Sequence, residues 1–286
     1  MEKYVIKNID SFRLKDIFEC GQCFRWNEND DGSYIGVINN TVVKVQQYEN
    51  RIEFTGSDNS EFEKIIKDYF DINTDYSNYK KDLIKVDQYM AESVEFGNGI
   101  RILNQDLWET IISFIISANN NIPRIKKIIE NLSRTYGNKI VFEEKEYYTF
   151  PTMQSLSKAS IQDLRKLGLG FRDKRIFNTT KMIISGKIDL DGIKNMQDTN
   201  LMREKLLELD GVGPKVADCI LLFALHRFDV FPIDVWVRRV MNDLYIHCTE
   251  EDRVNKREIL KLADEKYGKI KGLAQQYLFY WKREES

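Results

Sequence analysis

The chain has 286 residues, of which 42% are hydrophobic, and its formal net charge is −2 at pH 7. This length suits one two-layer protein or two tightly associated domains. No apolar run is long enough to span a bilayer, and the first residues lack the hydrophobic stretch of a signal peptide. We therefore expect a soluble intracellular protein, located in the cytoplasm and, in a bacterium, near the nucleoid. The acidic balance argues against nucleic acid as a partner unless basic residues gather on one face.

The cysteines bear on metal and disulfide chemistry. There are four, Cys20, Cys23, Cys219 and Cys248, which are too few and too scattered for a disulfide scaffold. Cys20 and Cys23 form a C-x-x-C pattern, which fits a zinc half-site or a redox pair. No second pair follows at metal spacing and the chain has two histidines, so a tetrahedral zinc site is not expected.

The N-terminal part of the chain has the pattern of an antiparallel sheet. Short β-branched runs joined by two-residue polar turns predict a β-meander, with runs at 34–38, 41–46 and 51–55. An aromatic loop with a glycine, residues 18–26 (FECGQCFRW), precedes the meander. Taken alone, this loop pattern most often reflects packing.

Helical periodicity dominates from about residue 60 onward. One helix is predicted from Asp106 to Ala118, and the three asparagines 119–121 that follow it are commonly just a loop. Residues 167–172 (LGLGFR) form a glycine-rich turn in which an aromatic residue precedes an arginine. Such a pair usually makes a surface contact.

Residues from about 199 to 226 predict a helix–hairpin–helix. Thr199 or Asn200 is the candidate cap of its first helix. Gly211 and Gly213 lie in a tight turn, and Pro214 takes the first position of the second helix, where its missing N–H has no consequence. A glycine turn that leads into a helix N-terminus presents unpaired backbone N–H groups. Such a place binds a phosphate.

Lys215 and Asp234 are the candidate catalytic residues. Lys215 falls in the first turn of the second hairpin helix, where the helix dipole opposes the ammonium form and favours a nucleophilic amine. A lone lysine here would more commonly be a solvated residue of a DNA-binding hairpin. Asp234 is placed to cap the next helix, and capping alone would explain it. The lysine and the aspartate together are much more specific than either residue alone.

The segments GVGPKVADCI and FPIDV resemble the helix–hairpin–helix, Gly/Pro-Asp (HhH-GPD) superfamily of DNA glycosylases, and within it the 8-oxoguanine DNA glycosylase/lyase branch. The resemblance implies that Lys215 attacks C1′ of the damaged nucleotide with help from the Asp234 carboxylate. It implies a damaged base extruded into a pocket. The implied fold class is α+β, with an N-terminal antiparallel-sheet domain over residues 1–98. A mainly α-helical glycosylase domain follows over residues 99–286, and its C-terminal helix closes the base pocket.

The resemblance also implies a set of base-contacting residues. Gly21 matches the position whose carbonyl faces the flipped base, where an acceptor distinguishes 8-oxoguanine, with hydrogen on N7, from guanine. Gln275 and Phe279 lie four residues apart on one helix face and match the residues that read the Watson–Crick edge and stack on the base. Cys219, one turn beyond Lys215, is expected in the pocket wall.

A further group matches the residues that fill the gap left by the extruded base. Asn119 and Arg124 would contact the widowed cytosine, Phe171 would wedge into the duplex, and Arg172 would reach the orphan base. Two positions depart from the family pattern: Phe171 replaces a common tyrosine, and Trp236 stands where animal members usually have histidine. Trp236 is given no role.

Together these features predict a monomeric, bifunctional glycosylase/AP lyase that removes 8-oxoguanine opposite cytosine in duplex DNA. No metal or organic cofactor is expected, and the sequence leaves open whether hairpin carbonyls hold a cation when DNA is bound. One alternative is an enzyme of this fold for another lesion, although branches that use water as nucleophile lack the hairpin lysine. The other is a non-catalytic module that grips the DNA backbone, which has no need of Asp234 or of the Gln275 and Phe279 pair.

Overall fold

A five-stranded antiparallel sheet forms the N-terminal part of the molecule. In the computed structural model, which describes residues 1–249 and 254–285, the strands are β1 Glu2–Lys7, β2 Asn27–Glu28, β3 Tyr34–Ile38, β4 Thr41–Tyr48 and β5 Arg51–Gly56. Their order in the sheet is β1-β5-β4-β3-β2. The predicted meander is confirmed as β3, β4 and β5. The outer strands β1 and β2 are additions that the sequence pattern did not reveal.

An aromatic core holds this sheet against its two helices, α1 Leu14–Glu19 and α2 Phe62–Tyr69. Phe18, near the end of α1, stacks on Trp26 with the ring centroids 4.2 Å apart. Phe54 on β5 contacts Phe70, just beyond α2, at 5.1 Å between centroids. Because Phe18 and Trp26 are both buried, they anchor the two ends of the loop that contains Gly21.

The rest of the chain is mainly helical, which confirms the predicted α+β class. The helices are α3 Tyr76–Leu83, α4 Gln88–Phe96, α5 Leu107–Ser117, α6 Ile122–Tyr136, α7 Met153–Leu156, α8 Ile161–Leu164, α9 Asp173–Ile184, α10 Leu190–Asn195, α11 Thr199–Leu207, α12 Pro214–Ala224, α13 Val235–Met241, α14 Lys256–Tyr267 and α15 Lys271–Glu285. A short hairpin, β6 Lys139–Phe142 and β7 Lys145–Tyr148, follows α6. No helix in the described part of the chain is both long and apolar enough to cross a membrane.

Helices α3 and α4 contribute to the helical core although they precede residue 98. Leu83, Met90 and Val94 are buried in the same cluster as the interior faces of α5, α12 and α15. The sheet has a separate core around Phe54 and Phe70. The domain boundary near residue 98 stays a prediction.

Gln22 joins the Gly21 loop to the start of the helical region. Its side chain is fully buried, and its Nε2 donates to the carbonyls of Ile17 and Arg101, each at 2.8 Å. Its Oε1 accepts from the N–H of Leu103 at 2.8 Å. A buried amide satisfied on both sides holds its backbone in one position, so Gly21 is fixed relative to the helical core.

Candidate active site

The capping of the first hairpin helix differs from the sequence prediction. The Asp198 side chain accepts from the N–H groups of Asn200 and Leu201 at the start of α11, so the predicted cap at Thr199 or Asn200 is wrong. A carboxylate that lies just before the helix can accept two of the first N–H groups, whereas Thr199 is already the first helical residue.

Gly211 and Gly213 shape the turn between α11 and α12. Gly211 has a φ of +88°, and a Cβ atom there would lie 3.0 Å from side-chain carbons of Arg175, so both the backbone and the packing require glycine. Gly213 is the N-cap residue of α12, Pro214 is its first residue, and no side chain caps the helix. Since no side chain caps α12, the N–H groups of its first turn are left as donors for an anion.

The predicted catalytic and base-pocket residues meet at one small cavity, which we call the Lys215 cavity. Its volume is about 40 Å³. It is lined by Cys20, Gly21, Phe114, Lys215, Cys219, Phe223, Pro232, Asp234, Gln275, Gln276 and Phe279. Two larger cavities, of about 350 and 260 Å³, lie between the sheet and the helices and include neither Lys215 nor Asp234 in their linings. The volume of a cavity therefore does not identify the candidate active site in this protein, whereas the chemistry of the lining residues does.

Asp234 caps α13, as predicted. Its Oδ1 accepts from the N–H of Val237 at 2.8 Å, and the side chain is half-buried at the edge of the Lys215 cavity. The hydrogen bond fixes the direction of the carboxylate. A capping residue with one oxygen engaged can still present its negative charge to the cavity.

Lys215 is held as an ammonium ion in the free protein. Burial acts to lower the pKa of Lys215, but the Cys219 sulfur and the Asp234 carboxylate act to raise it, and the pKa lies above its usual value. Burial raises the pKa of Cys219 to about 11. The Lys215 Nζ also lies 5.4 Å from the centroid of the Phe114 ring.

This electrostatic arrangement corrects the expectation of a neutral amine at Lys215. The sequence argument counted the helix dipole and burial, but not the two partners that folding brings to the lysine. One of them, Cys219, lies four residues along the same helix face, and the other, Asp234, comes from the start of α13. The lysine must lose a proton before it can act as a nucleophile.

Gly21 and Phe279 form one wall of the Lys215 cavity. Gly21 has a φ of +87°, and a Cβ atom there would lie 3.1 Å from Cε1 of Phe279. Glycine is needed both for the backbone conformation and for the approach of the ring. The ring of Phe279 therefore lies against the Gly21 backbone, and the stacking and acceptor roles of the two residues stay predictions.

Gln275 brings an unsatisfied acceptor to the same cavity. The side chain is 5% exposed, and its Oε1 has no hydrogen-bond partner among the described residues. A buried acceptor without a partner costs roughly 1–3 kcal/mol. Such a cost is expected where a ligand supplies the missing donor.

The predicted orphan-base residues lie together around the α5–α6 loop and the start of α9. Asn119 has a φ of +52° and is exposed, while Phe171 is 55% exposed and projects from the surface. Arg124 is exposed at the start of α6, and its Nη2 lies 3.4 Å from the carbonyl of Gly168. An exposed aromatic flanked by an exposed arginine fits a surface that contacts bases.

Arg172 occupies a different position from the other three. It is 2% exposed, and its guanidinium donates to the carbonyls of Ala118, at 2.6 and 2.9 Å, and Asn119, at 2.6 Å. In this conformation it holds the loop that carries Asn119. Its predicted contact with the orphan base stays a prediction and requires these bonds to be exchanged.

Several residues in or beside the lining of the Lys215 cavity were not identified from the sequence. Phe114 and Gln276 line it, and the amide of Gln276 donates to the carbonyl of Cys20. Arg283 donates to the carbonyl of Glu19 and lies 5.3 Å from the Phe279 ring centroid. The signal available in the sequence for Gln276 was a pair of adjacent glutamines within an otherwise apolar stretch of helix, since buried glutamine needs partners.

Among the cysteines and acidic residues that the structure describes, none are arranged to hold a resident metal. Within residues 1–249 and 254–285, no group of three or more His, Cys, Asp or Glu side chains is placed to hold a metal ion. Cys20 and Cys23 are free and buried, and burial raises the pKa of the Cys20 thiol to about 12. A neutral buried thiol is an unreactive packing residue.

These features indicate a DNA glycosylase of the helix–hairpin–helix class. They are a glycine hairpin with backbone N–H donors, a lysine in the first turn of its second helix, and a carboxylate across one cavity. Comparison with known proteins gives the family. Residues 4–111 match the family described as 8-oxoguanine DNA glycosylase, N-terminal domain, and residues 112–265 match the HhH-GPD superfamily of base excision DNA repair proteins. The chain belongs to the 8-oxoguanine DNA glycosylase family, and the predicted resemblance is confirmed.

Three similar proteins illustrate the relationship. The 8-oxoguanine glycosylase/lyase of Clostridium acetobutylicum, solved with double-stranded DNA containing cytosine opposite 8-oxoguanine, is 41% identical, with a TM-score of 0.93 over 99% of this chain and 97% of that one. A probable N-glycosylase/DNA lyase of Methanothermobacter thermautotrophicus is 35% identical over 68% of this chain and 66% of its own length. The N-glycosylase/DNA lyase of Saccharomyces cerevisiae is 34% identical over 79% of this chain and 66% of its own length. The chain thus spans about two thirds of these two curated relatives.

Proposed function

We propose that this chain is a bifunctional DNA glycosylase/AP lyase that excises 8-oxoguanine paired with cytosine and then cleaves the strand at the abasic site. The observation that carries the proposal is the single cavity shared by Lys215, Asp234, Gly21, Gln275 and Phe279. A non-catalytic hairpin module does not require such a cavity. The similar glycosylase/lyase from C. acetobutylicum, which was solved with this base pair, supports the choice of lesion.

In the proposed chemical step, Nζ of Lys215 attacks C1′ while the bond from C1′ to N9 of the base breaks. The electron pair of that bond leaves with the base, and the proton that the lysine loses is balanced by the proton that the base gains. Positive charge develops on the sugar as the base departs. The Asp234 carboxylate stabilises that charge, because its orientation is already fixed by the Val237 N–H.

The lyase step follows from the covalent adduct. Opening of the sugar ring converts the C1′ amine into an imine, with the ring oxygen taking up a proton. The imine acidifies C2′, whose proton is lost as the 3′ phosphate leaves, so the strand breaks by β-elimination. Lys215 and the DNA supply every atom of this sequence, and we propose that no cofactor takes part.

The base-recognition step assigns separate tasks to three groups. The buried Oε1 of Gln275 accepts from an N–H on the Watson–Crick edge of the base, which supplies its missing partner. The Gly21 carbonyl accepts from N7–H, which 8-oxoguanine has and guanine lacks. Phe279 stacks on the purine. Guanine would leave the Gly21 acceptor facing a lone pair, a mismatch that a buried site rejects strongly.

Entry of the base requires the Lys215 cavity to open. Its volume of about 40 Å³ is close to the space that one water molecule occupies in the liquid, far below that of a purine. Among the aromatic side chains of the lining, Phe114 and Phe223 are buried whereas Phe279 is half-buried, so Phe279 is the ring that can turn outward. We therefore propose that the ring of Phe279 moves as the base enters and then closes on it.

The protein is proposed to act as a monomer on duplex DNA, and so in the compartment that holds the chromosome, which is the cytoplasm in a bacterial cell. The test is a single-turnover excision assay on three otherwise identical duplexes. We expect release of 8-oxoguanine opposite cytosine, slower release opposite adenine, and no release of guanine. Equal cleavage of the damaged and undamaged duplexes, or no cleavage of either, would overturn the proposed function.

A further inference from the structure

Helix α9 connects two DNA-facing features, and one of its residues touches both. The proposed wedge Phe171 stands two residues before the helix begins, and the hairpin turn at Gly211 packs beside the middle of the helix. Arg175 lies one turn inside α9. Its aliphatic carbons contact Gly211, and its guanidinium carbon lies 5.3 Å from the centroid of the Phe171 ring.

The same face of α9 is fastened to the hairpin turn at two further points. The Thr179 hydroxyl donates to the backbone carbonyl of Asp210 at 2.7 Å, and the Asn178 amide donates to the Asp210 carboxylate at 2.7 Å. Residues 175, 178 and 179 are spaced three and four apart, so they share one face of the helix. That face meets the turn whose backbone N–H groups are directed at DNA.

The glycine at position 211 makes the contact with Arg175 a close one. A Cβ atom on Gly211 would lie 3.0 Å from both Cβ and Cδ of Arg175, so the backbone of the turn rests on the stem of the arginine. With its stem packed on the turn, Arg175 places its guanidinium beside the exposed ring of Phe171.

Phe171 is contacted by a second guanidinium on the other side of the chain. The Arg172 guanidinium carbon lies 4.2 Å from the ring centroid, and Arg172 is fixed by its bonds to the Ala118 and Asn119 carbonyls. The ring is thus supported by one cation anchored in the α5–α6 loop and one anchored on the hairpin. An aromatic ring that projects 55% into solvent would otherwise sample several rotamers.

We propose that Arg175 is a positioning residue that couples the wedge Phe171 to the hairpin turn. When the turn at Gly211 binds the backbone of the damaged strand, Arg175 holds the Phe171 ring at a fixed distance from that phosphate. The wedge then enters the duplex at the step where the lesion leaves it. This inference rests on the proposed function, because it assumes that the chain flips a base out of duplex DNA.

The test combines two variants of Arg175 with a matched control. Arg175→Met keeps an aliphatic stem against Gly211 and removes the planar cation. Arg175→Lys keeps the charge without the planar face. Lys174→Met removes one positive charge from the neighbouring exposed position of α9. Insertion of the wedge is read from the fluorescence of 2-aminopurine placed beside the orphan cytosine, in a duplex with a tetrahydrofuran abasic analogue. Thermal melting confirms that each variant is folded.

We expect Arg175→Met to lower both the fluorescence change and the single-turnover excision rate about two- to fivefold, the scale of one exposed cation–π contact. Lys174→Met should match the wild type, and Arg175→Lys, which keeps a cation but lacks the planar guanidinium, should lie between Arg175→Met and the wild type. In a Phe171→Ala background, Arg175→Met should have no additional effect, because the ring through which Arg175 is proposed to act is absent.

Three outcomes would overturn the inference. If Arg175→Met and Lys174→Met lowered the fluorescence change and the excision rate equally, the loss of any positive charge from α9 would explain the effect. Wild-type behaviour of Arg175→Lys would show that the planar guanidinium is not what supports the ring. An undiminished effect in the Phe171→Ala background would show that Arg175 does not act through the ring. The fluorescence measurement does not depend on excision. If the wild-type protein inserts its wedge but releases no 8-oxoguanine, the proposed function is refuted while the inference about Arg175 is not.

Discussion

The Cε1 atom of Phe279 lies 3.1 Å from the position that a Cβ atom would take on Gly21. These two residues come from opposite ends of the chain, and their contact forms the wall against which we propose that the flipped base stacks. Gln276 secures the arrangement, because its amide donates to the carbonyl of Cys20, the residue just before Gly21. This hydrogen bond ties the loop to the last helix.

Gly21→Ala should lower excision of 8-oxoguanine at least about tenfold, since the added methyl group would displace Phe279 from the cavity wall. The left-handed backbone also costs a non-glycine residue ~1–2 kcal/mol, which lowers the stability of the fold. Gly32→Ala is the matched control, because Gly32 has a φ of +74° and open space around its Cβ position. Both variants should lose similar thermal stability. Equal excision by the two variants would contradict the assignment of the wall.

Asp234→Asn should lower the single-turnover excision rate by about a hundredfold or more, the scale for removing one preorganised electrostatic contact to a transition state. Asparagine caps a helix nearly as well as aspartate, so the melting temperature should change little. Asp198→Asn, at the cap of α11, tests a cap change away from the Lys215 cavity and should keep full activity. A small rate loss at Asp234 would mean that capping is its whole role.

The raised pKa of Lys215 predicts that excision becomes faster as the pH rises. Below its pKa the lysine is an ammonium ion, and the reactive amine increases about tenfold for each pH unit until the pKa is reached. Asp234→Asn removes a charge that raises this pKa, so the variant's rate should level off at lower pH than the wild type's. Single-turnover rates between about pH 6 and about pH 10 would show this. A profile that is flat, or that falls with pH, would contradict the electrostatic account.

Arg124→Ala should lower excision opposite cytosine more than opposite adenine. Arginine offers only donors, which suit the O2 and N3 acceptors of a widowed cytosine, and a good arginine contact to a base is worth ~1–3 kcal/mol. Lys127→Ala removes an exposed cation from the next turn of α6 and should lower both activities equally. If Arg124→Ala keeps the wild-type ratio, the arginine contacts only the DNA backbone.

The elements that the sequence predicted best are those fixed by local chemistry. The meander follows from two-residue turns between β-branched runs, and the hairpin follows from a glycine turn with Pro214 at the start of α12. Strand β1 was not predicted because its partner, β5, lies about fifty residues away, as the pairing of Lys7 with Arg51 shows. Long-range pairing of this kind leaves no mark in a short window of sequence.

The residues that form the site were easier to predict than their ionisation and burial. The resemblance brought together Gly21, Lys215, Asp234, Gln275 and Phe279, and the structure places all of them at one cavity. The ionisation of Lys215 was predicted with the wrong direction, because the charges around a side chain depend on tertiary neighbours. The buried position of Arg172 could not be read from the sequence for the same reason, since its partners are backbone carbonyls of a distant loop.

Borohydride trapping tests the central claim, that Lys215 is the nucleophile. Wild-type protein and Lys205→Gln, a change on the other hairpin helix, should each form a covalent adduct with an 8-oxoguanine:cytosine duplex when borohydride reduces the imine. Lys215→Gln should bind the duplex but form no adduct and release no base. An undiminished adduct in Lys215→Gln would contradict the account and reassign the nucleophile to another amine.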